Sequence, residues 1–450
     1  MTESSRIRYV RSGDPHIAYR TFGSGEHDLL LVLPTVGTIE MLGEQPAVGL
    51  AKRIGKFCRM ISFDRRGLGL SDPVGVPATL EEQVEDIDAV LDAAGTRRVA
   101  IMAEAEGTMM AVMYAATHPE RVSHLVLLHP LARVSSAPGY EWTWTEAERL
   151  ERFVRPQIER WGTGEAGEGL APVLAARDPR FIEWFGRWER LSASPGVVAE
   201  AMELSGKMDV REILPQVQAP TLVLNRTDAL AFEDRHAAYA AEHIPGAELR
   251  ELPGRDVISI GDGVEELCDA IEEFVCEHAP MRAAERALST VLFTDVVGST
   301  ERAAELGDKR WRELLELHDR ITREQVGRFG GRAIKSTGDG FLASFDGPAR
   351  AVRCALELGE RLRSESVEIR AGLHTGEVEL MEDDIGGMAV HIGARIADLA
   401  EGGEVLASST VRDLVVGSGI EFAERGSRQL KGVPGQWTLV AAVADGPEAR

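Results

Sequence analysis

The first half of the chain alternates short apolar runs with segments of helical periodicity. The apolar runs predict buried strands at 29–33, 59–63, 99–103, 125–128 and 221–224. Between two of them, Val84, Ile87 and Val90 recur at helical spacing, and Gly95 ends that predicted helix. Strands that alternate with helices predict a parallel sheet covered on both faces, an α/β fold.

Residues 131–210 interrupt this alternation. They show no strand pattern, yet they contain a run of tryptophans: Trp142, Trp144, Trp161, Trp184 and Trp188. We expect a helical lid inserted over the sheet at about 131–210.

The pattern changes beyond residue 288. It predicts a strand at 289–294, a helix at 299–329, a hairpin of 332–336 with 341–345, a helix at 348–363, a strand at 367–373 and a helix at 387–400. Strand, helix, hairpin, helix and strand in this order predict a ferredoxin-like α+β sandwich. We therefore expect a domain at 1–278, a helical linker at 279–287, a second domain at 288–442 and a tail at 443–450.

Composition narrows the class of protein. With 450 residues the chain is long enough for two or three domains. Its formal net charge of −23 would repel phosphate backbones, so no nucleic-acid partner is expected. No apolar run approaches the ~18 residues of a membrane span, and the polar N-terminus is unlike a signal region. The four cysteines are scattered without metal-ligand spacing. We expect a reduced, cytoplasmic protein.

Two motifs of the first half carry a family resemblance. Residues 63–72 read FDRRGLGLSD, and residues 117–122 read THPERV. They resemble the loop after a strand, and the end of the helix after the nucleophile, in the α/β-hydrolase family. The resemblance covers some 270 residues and implies the hydrolase scaffold.

The hydrolase chemistry is missing from the matching positions. The family places a serine on a Gly-x-Ser-x-Gly turn, and here the turn at 103–107 reads AEAEG with Ala105 in the nucleophile position. Ala229 stands at the expected acid position, with Asp228 one residue early, and Val257 replaces the histidine. The oxyanion-hole segment 34–37 lacks the family's His-Gly pair. Two interpretations remain open: a folded spacer or dimerisation platform, or a sensor whose pocket binds a small apolar molecule without cleaving it.

The second half contains two carboxylates at the ends of predicted strands. Asp295 ends the first strand, just before Val296 and a helix start at Gly298, Ser299 and Thr300. A strand end followed by glycine and a helix N-terminus can cradle phosphate. Asp339 occupies the hairpin turn, and alone it could be a turn residue, as Asp295 alone could be a helix cap. If the hairpin pairs with the first strand, both carboxylates can converge on Mg²⁺ or Mn²⁺.

The motifs around these residues resemble class III nucleotide cyclases. Residues 293–300 read FTDVVGST and 335–341 read KSTGDGF, like the family's two metal-binding segments. Residues 373–377 read LHTGE, and 429–435 read QLKGVPG, like its strand end and closing segment. The resemblance covers about 288–442.

The resemblance implies a role for each matching residue. The metal set is Asp295, Val296 and Asp339, which would hold two Mg²⁺ or Mn²⁺ ions per site. Lys335 and Asp384 would read the base, and this donor and acceptor suit adenine rather than guanine. Arg395 would stabilise charge on the transferring phosphoryl group, Lys431 would contact the terminal phosphates, and the helix start at 298–300 would bind phosphate.

The family resemblance also implies a dimer. The metal aspartates come from one subunit and the base-reading pair and arginine from the other, so we expect a head-to-tail homodimer. His391 stands where the family has a ribose-orienting asparagine, and it could donate a similar hydrogen bond or fill space beneath the helix. We expect an adenylate cyclase that converts ATP to cyclic AMP and pyrophosphate. The alternatives are a guanylate or dual-specificity cyclase, a non-catalytic nucleotide- or ligand-binding regulator and, last, a working esterase.

Overall fold

The computed structural model of the chain describes residues 6–229, 234–277, 286–336, 338–381 and 384–443. The chain divides into two compact units, residues 1–284 and 285–450. Among the described helices, none is long and apolar enough to cross a membrane.

The first unit is built on an eight-stranded sheet in the order β1-β2-β4-β3-β5-β6-β7-β8. Its strands are β1 (Arg8–Arg11), β2 (His16–Phe22), β3 (His27–Val32), β4 (Cys58–Phe63), β5 (Val99–Glu104), β6 (Val122–Leu128), β7 (Thr221–Arg226) and β8 (Glu248–Leu252). The six neighbouring strands β4, β3, β5, β6, β7 and β8 are parallel, and β1 and β2 add an antiparallel edge. All five predicted strands are present, whereas β1, β2 and β8 were not predicted.

Helices cover this sheet. They are α1 (Val48–Ile54), α2 (Leu80–Ala93), α3 (Gly107–Thr117), α4 (Glu146–Arg149), α5 (Arg155–Glu159), α6 (Ala166–Leu170), α7 (Pro172–Arg177), α8 (Arg180–Ser192), α9 (Pro195–Lys207), α10 (Asp234–His243) and α11 (Val264–Glu277). Helix α2 begins with a capping box between Thr79 and Glu82. Every residue of α3 is buried, which places its N-terminus in the interior beside the end of β5. Helices α4–α9 all lie within the segment expected to form a lid.

The second unit is built on a sheet in the order β10-β11-β9-β12-β14-β16-β15, with β13 paired to β12. Its strands are β9 (Arg286–Val296), β10 (Arg332–Ser336), β11 (Gly340–Phe345), β12 (Ile369–Leu380), β13 (Ile385–Gly386), β14 (Val405–Ser408), β15 (Glu421–Arg428) and β16 (Trp437–Val443). Its helices are α12 (Ser299–Arg328), α13 (Pro348–Ser364), α14 (Met388–Leu399) and α15 (Ser409–Leu414). The predicted hairpin and helices are found close to their expected bounds.

One expectation about the connection was wrong. Residues 286 and 287 were assigned to the helical linker, but they form the start of β9 and pair with 379 and 378 of β12. Ala287 and Leu288 are consecutive and both buried, as in a strand that is covered on both faces. The remainder of the expected linker, from 279 to 285, lies outside the described residues.

Helix α14 packs closely on the middle of the second sheet. A Cβ atom at Gly372 of β12 would lie 2.1 Å from the backbone nitrogen of Ala397, and a Cβ at Gly393 would lie 2.6 Å from Cγ2 of Val291. Only glycine at these two positions permits this approach. The packing fixes the helix that carries His391 and Arg395.

Candidate active site

The two predicted metal aspartates lie at the meeting point of two paired strands, β9 and β11. Strand β9 pairs with β11 so that Asp295 stands opposite Gly340, the residue after Asp339. The amide of Val296 donates a hydrogen bond of 3.2 Å to the backbone oxygen of Asp339. The hairpin therefore packs beside the first strand. This pairing was the condition under which the two carboxylates could converge on a metal ion. Carboxylate oxygens, with a nearby backbone carbonyl, are the hard donors that Mg²⁺ or Mn²⁺ accepts.

The donor set is small. Among the described residues, no group of three or more histidine, cysteine, aspartate or glutamate side chains could hold a metal ion. Mg²⁺ commonly sits on one or two carboxylates and completes its shell with water and substrate phosphates. Two aspartates therefore fit a metal that arrives with a nucleotide, and do not form a closed structural metal site.

Arg370 is a site residue that the sequence analysis missed. Strand β12 places it directly opposite Asp295, and its Nη2 and Nε lie 2.6 and 3.0 Å from Oδ2 of Asp295. Its Nη1 also donates to the backbone oxygen of Asp398, at 3.4 Å. The guanidinium fixes the Asp295 carboxylate and balances its charge. The sequence did contain a signal for Arg370, because it is a charged residue inside the apolar run of β12.

The helix start that follows β9 has the expected geometry. Gly298 adopts a left-handed conformation with φ of 67°, which favours glycine, and α12 begins at Ser299. The amide of Val297 donates to the backbone oxygen of Glu368, which anchors the turn. Gly298 provides no side-chain cap, so the first amides of α12 keep their capacity to bind an anion. Thr300 belongs to the same turn of helix.

Lys335 and Asp384, the predicted base-reading pair, are in contact. Nζ of Lys335 lies 2.5 Å from Oδ2 of Asp384, although 49 residues separate them. The pKa of Asp384 lies below its usual value, mainly because of the hydrogen bond from the Lys335 ammonium and to a smaller extent because of the amide of Ile385. Both side chains are partly exposed. The neighbouring residues 382 and 383 lie outside the described residues, and Asp384 itself is the carboxylate that meets the lysine.

Arg395 and Lys431 form a third group. Nε of Arg395 donates to the backbone oxygen of Lys431 at 3.2 Å, and its Nη1 lies 2.8 Å from Oδ2 of Asp398. The Arg395–Asp398 pair is largely exposed, so its release for a substrate would cost only ~0–1 kcal/mol. His391 precedes Arg395 by about one helical turn and is exposed. Exposure argues against its filling space beneath the helix.

The structure thus joins the predicted residues in three groups. Asp295 and Asp339 are linked across β9 and β11, Lys335 pairs with Asp384, and Arg395 adjoins Lys431. Asp398 connects the third group to the first through Arg370. Within the described part of the chain, no recorded side-chain contact joins the base-reading pair to either of the others.

In the first unit, the hydrolase turn persists without its nucleophile. Ala105 connects β5 to α3 with φ of 46°, the left-handed conformation of a nucleophile turn. Ala105, Val257 and Pro34 line one cavity, so the positions expected for nucleophile, base and oxyanion hole do meet. Asp228 is exposed and Ala229 is buried. The site therefore has the hydrolase shape but lacks the nucleophile and base at the family's positions.

Buried Glu104, beside this turn, was also missed. It accepts hydrogen bonds from the hydroxyl and the amide of Ser259, and burial raises its pKa. This contact ties the end of β5 to the loop that carries Val257.

Comparisons with known proteins agree with this division. Residues 46–258 match the family model described as alpha/beta hydrolase fold, and residues 282–441 match the adenylate and guanylate cyclase catalytic domain. The chain therefore carries an α/β-hydrolase-fold domain followed by a class III adenylate/guanylate cyclase domain. Both predicted folds are confirmed.

Individual relatives match over parts of the chain. A Rhizobium meliloti protein named "Putative adenylate cyclase 3" is 30% identical over 165 residues, 33% of this chain and 27% of that protein. An uncharacterized protein of Mycobacterium tuberculosis is 31% identical over 155 residues, 33% of this chain and 54% of its own length. The chain thus spans between about a quarter and about half of these relatives. The enol-lactonase of Burkholderia xenovorans LB400 shares the fold, with a TM-score of 0.50 and 20% identity over 60% of this chain and all of the enzyme.

Proposed function

We propose that the chain is an adenylate cyclase that converts ATP to 3′,5′-cyclic AMP and pyrophosphate at a site shared by two subunits. The observation that carries the proposal is the strand pairing that brings Asp295 next to Gly340, the residue after Asp339, inside a cyclase-family domain. The contact between Lys335 and Asp384 supports the choice of ATP. So does the name of the Rhizobium relative.

Each group of residues has a task in this reaction. Asp295, Asp339 and the backbone of Val296 would hold two Mg²⁺ or Mn²⁺ ions, which lower the pKa of the ribose 3′-hydroxyl and neutralise phosphate charge. The amides at 298–300 and Lys431 bind the triphosphate, and Arg395 stabilises the charge that develops during transfer. The 3′-oxygen forms a bond to the α-phosphorus, the bond from that phosphorus to the β-phosphate bridge breaks, and pyrophosphate leaves.

The base is selected by hydrogen-bond polarity. Lys335 donates and Asp384 accepts, which suits the acceptor N1 and the donor amine of adenine. Guanine presents the opposite pattern on that edge. The direct test is cyclic nucleotide production by the purified full-length chain with Mn²⁺ and either ATP or GTP. Cyclic AMP from ATP alone supports the proposal, product from GTP favours the guanylate or dual-specificity alternative, and no product from a verified dimer favours a non-catalytic regulator.

Lys335→Ala should lower kcat/KM for ATP and reduce the preference for ATP over GTP. A hydrogen bond to a charged group contributes ~1.5–3 kcal/mol, so kcat/KM for ATP should fall about 10- to 150-fold. The control is Lys309→Ala, which removes an exposed lysine of α12 and should leave kcat/KM unchanged. An unaltered ATP-to-GTP ratio in Lys335→Ala would contradict the base-reading role.

His391→Asn should preserve or raise the rate. The residue is exposed on α14, so asparagine fits there without a cavity, and its amide can orient the ribose. We expect kcat at or above that of the natural chain in a cyclic AMP assay. A collapse of kcat with an unchanged melting temperature would show that the imidazole itself has a role.

A further inference from the structure

A cavity of about 90 Å³ lies in the first unit, at the carboxyl ends of the central strands. A buried water needs ~10–15 Å³ by the same measure, so the space would hold several waters or one small organic molecule. Its walls come from the strand ends and from the helices of the inserted segment, and they are mostly apolar: Leu33, Leu128, Phe153, Leu170, Phe185 and Met202 are among them. Apolar walls with a few polar groups are typical of small-molecule sites.

The reactive positions of this cavity carry methyl and isopropyl groups. Ala105 keeps the left-handed backbone of a nucleophile turn, a conformation that costs a non-glycine residue ~1–2 kcal/mol. Val257 stands where the family has its base. The cavity therefore retains the shape that holds a ligand over the turn, while no serine or histidine remains at these two positions to attack it.

The polar atoms of the cavity wall include a donor and an acceptor that have no hydrogen-bond partner among the described residues. They are the indole Nε1 of Trp188, a residue only 5% exposed, and Oε1 of Gln157. One is a donor and the other an acceptor. A buried polar atom without a partner costs ~1–3 kcal/mol, and a ligand hydroxyl can both accept from the indole and donate to the amide oxygen.

Charge in the wall limits the ligand further. Glu104 and Glu106 line the cavity, and no lysine or arginine does so among the described residues. His129 also lines the cavity, but burial lowers its pKa to about 4, so an anionic ligand would meet carboxylates without a cation, which is costly. A cation gains little from Glu104, whose carboxylate already accepts hydrogen bonds from Ser259, or from Glu106, which already interacts electrostatically with Arg65 and Arg149.

We propose that this cavity binds, without cleaving it, a small uncharged apolar molecule that carries a hydroxyl group. The inference does not depend on the cyclase reaction, since every residue that supports it lies in the first unit. It gives the hydrolase-fold domain a binding role instead of that of a spacer.

The test is isothermal titration calorimetry of the full-length chain with 1-naphthol and with 1-naphthoate. These probes share their rings and differ in charge at pH 7. We expect 1-naphthol to bind with one site per chain and 1-naphthoate to show no measurable heat. Failure of the folded chain to bind 1-naphthol, or tighter binding of the anion, would overturn the proposal. So would release of 1-naphthol from 1-naphthyl acetate by the chain, because the site would then be an esterase.

A pair of tryptophan variants tests the hydrogen bond. Trp188→Phe removes the donor but keeps a ring, and should weaken 1-naphthol binding about 2- to 10-fold, the effect of one lost hydrogen bond. Trp184→Phe is the matched control, because Trp184 lies on the same helix and its buried indole nitrogen also has no hydrogen-bond partner in the described part of the chain, but it does not line the cavity. Equal loss in both variants would show that general destabilisation, rather than ligand contact, causes the change.

Discussion

Asp295→Ala should reduce cyclic AMP production by about a thousandfold or more. Asp295 pairs with Gly340, the residue after Asp339, and Arg370 holds its carboxylate by a hydrogen bond. Without it the site loses a hard donor and the charge that attracts a divalent ion, and metal-based charge stabilisation is worth several kcal/mol. A loss of ~4 kcal/mol in the transition state corresponds to ~10³ in rate. The measurement is the initial rate with saturating ATP and Mn²⁺.

The fold should survive this substitution. The Asp295–Arg370 pair is about one-third exposed, and such pairs contribute ~0–1 kcal/mol, so the melting temperature should change by only a few degrees. Asp346→Ala is the matched control, since it also removes a partly exposed aspartate paired with an arginine, Arg350, at the far end of β11. Asp346→Ala should keep the natural rate. Equal rates in the two variants would refute the metal assignment.

The two edge strands that the sequence analysis missed, β1 and β8, differ in burial from the central strands that it predicted. All six residues of β5 are buried, because helices cover both faces of a central parallel strand, and the sequence shows a continuous apolar run. Strand β1 reads RYVR and β8 reads ELREL, and most of their residues are exposed or half-buried. An edge strand needs little apolar surface, so its sequence resembles that of a loop.

In the site, separation along the chain decided which contacts could be predicted. The approach of Asp295 and Asp339 followed from a strand end, a tight turn and one pairing between neighbouring strands. Arg370 was out of reach, because its contact depends on the register between β9 and β12, which lie 75 residues apart at this pair. The Glu104–Ser259 contact joins a strand end to a loop 155 residues later, so it also depends on the folded chain and not on a local pattern. Pairings between distant strands depend on the packed sheet as a whole, and local patterns do not encode their register.

Two inactive variants should restore activity to each other when they form one dimer. In a shared site, one subunit supplies Asp295 and Asp339 while its partner supplies Lys335, Asp384 and Arg395. A heterodimer of Asp295→Ala with Arg395→Ala has one site with both defects and one intact site. Two-fold symmetry gives two sites per dimer, so the heterodimer should reach about half the natural rate.

The experiment requires co-expression of the two variants with different tags and purification through both. The control heterodimer combines Asp295→Ala with Asp339→Ala. Each of its sites lacks one metal aspartate, so it should stay as inactive as either parent homodimer. Recovery only in the first combination can arise only if residues of two subunits meet in one site. If neither recovers although both are dimers, each chain holds a complete site and Arg395 acts beside its own Asp295, to which Asp398 and Arg370 already connect it.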